Sequence, residues 1–148
     1  MDKKYLLGTT SLVGTTSLVA ATVLAGGTAL AEAQPLVDLP ADDWDFRMDP
    51  DDVGAGSKWY EPGSPREEWT KLSIGRDWGS AGGTGVGWYR KDVQVPDLPA
   101  GQRIYLHFGA VDEHLVLWIN GKYAGDYDRE PDQGWDKPFA IDVTGRLT

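Results

Sequence analysis

At 148 residues the chain has the length of one domain, and 41% hydrophobic with 11% aromatic residues is too apolar a composition for disorder. Its 23 acidic against 14 basic residues give a net charge of −9, which argues against nucleic acid or an anionic membrane surface as partner. Cysteine is absent, so disulfides, thiol catalysis and cysteine metal sites are excluded. Seven tryptophans are many for this length and demand a role.

Residues 1–31 read as an export signal. Lys3 and Lys4 form a positive start, no charge follows until Glu32, and Ala29-Leu30-Ala31 fits the small-x-small cleavage pattern. The hexapeptide GTTSLV stands twice in tandem, at 8–13 and 14–19, and reads as a duplicated piece of the apolar region. An uncleaved anchor is the alternative, since the run is long enough to span a bilayer. Its glycines and many Thr and Ser residues make it a poor permanent span. The expected protein is therefore exported, periplasmic or extracellular, and free of the membrane after cleavage.

Residues 32–43 carry Pro and Asp and read as a linker. Beyond them no stretch sustains an i, i+3, i+4 apolar pattern, and short strands bounded by Gly, Pro and Asp appear instead. Trp44 to Met48 alternates and stops at Asp49-Pro50. Residues 51–66, rich in Pro and Gly around Trp59-Tyr60, form an ordered loop or short turns. Residues 69–74 make a weaker strand, and 75–87 a glycine-rich run of turns around Trp78.

The second half is clearer. Residues 86–95 place Tyr89, Lys91, Val93 and Val95 on one face and Trp88, Arg90, Asp92 and Gln94 on the other. Residues 103–109 put Ile104, Leu106 and Phe108 on a core face. Residues 111–120 send Leu115, Leu117 and Ile119 inward with Val116 and Trp118 opposite, so both faces are expected to be covered. Asn120-Gly121 is the preferred type I′ hairpin pair, with 122–127 returning as its partner. Residues 139–143 make a last strand. The fold class is all-β, an antiparallel β-sandwich.

The chemistry-bearing residues form no catalytic constellation. Asp112 and Glu113 are adjacent, so a strand points them to opposite faces, useless as a carboxylate pair. Asp126, Asp128, Glu130 and Asp132 alternate and could offer oxygen ligands to calcium, but the EF-hand glycine and terminal glutamate are missing. A solvated acidic loop is the preferred reading, and no cofactor is expected. His107 lies opposite the apolar face of its strand. The run 79–87 lacks the Lys-Ser/Thr of a phosphate loop.

Tryptophans remain. Indole and phenol faces stack on the C–H faces of sugar rings, and carboxylates accept from sugar hydroxyls, so a neutral carbohydrate is the expected partner. The candidate binding residues are Trp78, Tyr127, Asp128 and Trp135, in or beside turns. For Trp78 and Trp135 packing is an equal alternative. Trp44, Trp69, Trp88 and Trp118 are read as core, and Trp59 as a loop anchor.

Three segments, GVGWYRKDVQVP (85–96), RIYLHFGAVDEHLVLWINGKYAGDY (103–127) and PFAIDVTGRL (138–147), together resemble the N-terminal sugar-binding domain of glycoside hydrolase family 2. Upstream, WDFRMDPDDVG and EEWTKLSIGRDW resemble that domain's opening strand and pre-loop segment, so the likeness covers about residues 44–148. The resemblance implies a galactose-binding-like jelly roll, a non-catalytic accessory of a β-glycosidase whose catalytic glutamates lie in a downstream barrel. That barrel would be a second partner, within the same parent chain. The family continues past DVTGRL with a Gly-Asn turn and a closing strand, so a sandwich lacking that strand is expected, with an edge prone to association. The alternatives are a free-standing carbohydrate-binding module and a structural docking domain that binds no sugar.

Overall fold

The computed structural model describes residues 4–6, 18–25, 34–37, 39–74, 85–95, 101–111, 114–128 and 137–147. They form strands β1 (Lys4–Leu6), β2 (Leu18–Ala25), β3 (Gln34–Val37), β4 (Trp44–Asp49), β5 (Thr70–Leu72) and β6 (Val86–Arg90). Then follow β7 (Asp92–Gln94), β8 (Gln102–Phe108), β9 (His114–Ile119), β10 (Lys122–Asp128) and β11 (Phe139–Asp142). Every pairing is antiparallel, and no helix occurs among the described residues. The all-β expectation is met.

The strands assemble as β5-β4-β6, β11-β8-β2-β3, β10-β9 and β1-β7. β1 and β2 lie within residues 1–31, and β3 within 32–43. The sequence LVAATVLA of β2 has the branched, apolar character that suits a pleated surface. It lies between β8 and β3, with an irregular register between Leu18 and Ala21.

Alternation decides the core. Trp44 and Phe46 of β4, Tyr89 of β6, Ile104, Leu106 and Phe108 of β8, and Leu115, Leu117 and Ile119 of β9 point into one buried cluster. Val143 and Leu147 close it from the C-terminal turn. Phe46 and Tyr89 meet at 4.9 Å between ring centroids, a tilted aromatic pair inside the cluster. The β9–β10 hairpin turns at Asn120 and Gly121 with φ of 52° and 77°, the left-handed pair that a type I′ turn requires.

β6 departs from half-buried alternation, for Gly87 to Arg90 are all buried. Tyr89 faces the core, whereas Trp88 and Arg90 face a loop, residues 50–69, that lies over the opposite side of the sheet. Both faces of this strand are therefore covered by protein.

Candidate functional site

The loop over the β4–β6 face is pinned at two points, each by a buried polar side chain. Asp49, 1% exposed, ends β4, and its carboxylate accepts from Val53 N at 2.9 Å, Gly54 N at 2.7 Å and Trp88 Nε1 at 2.9 Å. Three donors replace the water that a buried carboxylate gives up. Arg90 is 0% exposed and donates to the Ser64 hydroxyl, to Glu61 O at 3.2 Å and to Pro62 O at 3.3 Å. Burial lowers the Arg90 pKa from its ordinary value, and the nearby Arg66 charge acts in the same direction. One anchor holds the start of the loop and the other its far half.

Between these pins lies an aromatic layer. Trp59 packs edge-on against Trp69 and Trp88, at 6.1 and 6.0 Å between centroids. Trp88 stacks on Trp118 at 5.1 Å, and Trp118 on Tyr60 at 5.3 Å with planes 5° apart. The Arg47 guanidinium lies 3.8 Å over the Trp59 ring and pairs with Glu68. Arg90 lies 5.3 Å from the Trp69 ring.

The layer opens at Arg47. A cleft of about 330 Å³ is lined by Arg47, Ser57, Trp59, Ser64, Glu67 and Glu68. A second concavity of about 560 Å³ shares Arg47 and Glu68 and runs along Phe46, Met48, Thr70 and Leu72. The Arg47–Glu68 pair is the ridge common to both.

An ion network borders this face. Asp45 takes Arg66 Nη1 and Lys71 Nζ, both at 2.9 Å, and Arg66 reaches on to Asp92 at 2.9 Å. The hydrogen bond to Asp92 foremost raises the Arg66 pKa, and that to Asp45 raises the Lys71 pKa.

Of the residues expected to bind sugar, Trp78 and Trp135 lie outside the described residues. Tyr127 is half-buried at the end of β10, its ring stacked on Phe139 at 3.6 Å, and Phe139 stacks in turn on Phe108 at 4.8 Å. Asp128 follows it, exposed, at the last position of the strand. Of the four carboxylates weighed for calcium, Asp126 and Asp128 are on β10, while Glu130 and Asp132 lie outside the described residues. Asp126 accepts from the Tyr123 hydroxyl, which raises the pKa of that phenol.

The Trp59 reading as a loop anchor agrees with its packing, and Trp44 is core as expected. Trp88 is buried too, but under the loop and not in the central cluster. Neither Arg47, Glu68, Asp49 nor Arg90 stood out in the sequence. The available signal was Arg90 on the same strand face as Trp88, a charge that burial could tolerate only under a covering loop.

Compared with known proteins, the chain is similar to the β-galactosidase BoGH2A of Bacteroides ovatus, 30% identical over 125 residues, covering 68% of this chain and 14% of that enzyme. It is also similar to a β-galactosidase of Thermoanaerobacter pseudethanolicus, 32% identical over 59 residues, covering 40% of this chain and 7% of that enzyme. The chain thus spans 14% or less of the length of these two curated relatives. No family model matches the chain, and no solved structure does. The chain is a glycoside hydrolase-related β-domain, similar to a small part of these β-galactosidases.

Proposed function

We propose that the chain is the carbohydrate-binding, non-catalytic β-sandwich of an exported β-glycosidase of glycoside hydrolase family 2, with a galactose-binding-like jelly-roll fold. The observation that carries this reading is the 30% identity to a β-galactosidase, over two thirds of the chain, in an antiparallel all-β domain. The reading assigns bond cleavage to the parent enzyme and sugar contact to the sandwich. Glu68 is held as the ion-pair partner of Arg47, and Asp45 as that of Arg66 and Lys71, an arrangement suited to positioning. Export rests on the charged start, apolar run and Ala29-Leu30-Ala31 of residues 1–31, whose cleavage would take β1 and β2 out of their sheets.

Affinity electrophoresis of the full chain in native gels cast with soluble galactans and glucans tests this reading. Retarded migration in at least one polysaccharide, with no hydrolysis of aryl β-galactosides, is the expected result. Unchanged migration in every polysaccharide overturns sugar binding, and hydrolysis by the chain alone overturns the non-catalytic role.

A further inference from the structure

Resting on the carbohydrate reading above, we propose that the cleft between Arg47, Trp59 and Glu68 is a subsite for one neutral sugar ring, recognised through vicinal hydroxyls. The cleft, about 330 Å³, is at the small end of ligand sites, which begin near about 300 Å³. It suits a small polar ligand of one ring.

The polar groups select the chemistry. Arg47 offers a fork of donors, and Glu68 beside it offers two acceptor oxygens. A diol both donates and accepts, so neighbouring hydroxyls satisfy both groups at once. Glu67 and Glu68 line the cleft with Arg47 and disfavour an anion, and a neutral polyol has both the donors and the acceptors that the Arg47–Glu68 pair can use.

The apolar wall is Trp59, one face of whose indole is covered by Arg47. Recognition is therefore mainly polar, with the indole supplying a wall and not a stacking platform. Ser57 adds a hydroxyl, and Ser64 is fixed from beneath by the buried Arg90. The subsite is preorganised because the loop that carries it is pinned at Asp49 and at Arg90, so little ordering is left for the ligand to impose.

Titration of the ¹⁵N-labelled full chain with D-galactose, D-glucose and D-mannose, read by NMR, tests the assignment. Saturable shifts of the Trp59 indole N–H and the Arg47 Nε–H are expected with at least one of these sugars. Glu68→Gln keeps an acceptor but loses the charge, and lowers that affinity by about tenfold. Because the Glu68 side chain is 71% exposed, the variant leaves the fold intact, which unchanged signals of the core verify. Saturable binding with shifts confined to other residues, and unaffected by Glu68→Gln, overturns this subsite while leaving carbohydrate binding standing. No shift with any of the sugars overturns the subsite, and the failure of the polysaccharide gels would separately overturn the broader reading.

Discussion

Asp49 and Trp88, 39 residues apart in sequence, meet through a buried hydrogen bond of 2.9 Å from the indole Nε1 to the carboxylate Oδ2. The same oxygen takes Gly54 N at 2.7 Å, so one atom joins the end of β4, the middle of β6 and the start of the covering loop. Asp49→Ala strips three donors of their acceptor at a buried site. It is expected to destabilise the chain by about 3 kcal/mol, and urea denaturation of the variant beside the parent measures the loss.

Gly54 sits where no side chain fits. A Cβ there would lie 2.4 Å from Trp88 Nε1 and 2.7 Å from Trp59 Cε3. Since both rings are wedged into the aromatic layer, Gly54→Ala displaces the loop at a cost of about 1–3 kcal/mol. Thermal unfolding checks the size of the effect, and a change in tryptophan fluorescence locates it.

Arg90 is the second pin. Its guanidinium serves the Ser64 hydroxyl and the carbonyls of Glu61 and Pro62, a fork that the single ammonium of lysine cannot reproduce. Arg90→Lys is therefore expected to loosen residues 61–64, with amide hydrogen exchange there faster than in the parent and exchange in β9 unchanged. Equal exchange in parent and variant would remove Arg90 from the role of pin.

Asp142 supplies the pH dependence. The Thr144 hydroxyl foremost, then the Thr144 amide and Arg103, hold its pKa down to about 2. A carboxyl that is more acidic in the folded than in the unfolded chain stabilises the fold above the unfolded value. That contribution fades as pH falls from about 4 to about 2. Asp142→Asn is expected to flatten this part of the stability curve, which denaturation series across that range would record.

The sequence made the second half of the fold legible because local rules and tertiary packing agree there. Asn120-Gly121 dictated the turn, and Leu115, Leu117 and Ile119 alternate as a strand with one core face must. Trp88 and Arg90 were placed on the correct face, but what lies over them was not. Covering that face takes Trp59, Ser64 and Trp69 from a loop rich in Pro and Gly, and no periodicity marks such a loop. Asp49 read as a strand stop beside Pro50, although its carboxylate organises the loop from below. Arg47 and Glu68, 21 positions apart, become neighbours only once the loop has closed, so spacing could not reveal the cleft. The β2 strand escaped for a different reason. An apolar run of Leu, Val, Ala and Thr satisfies both an export signal and a strand, and composition does not separate the two.

Isothermal titration calorimetry of β-linked disaccharides, lactose and cellobiose, into the full chain tests carbohydrate binding most directly. The expected result is a saturable heat of binding with at least one of them, diminished in Glu68→Gln. Dilution heat alone with both, at millimolar sugar, would contradict a carbohydrate-binding sandwich and leave the aromatic layer as packing for its loop.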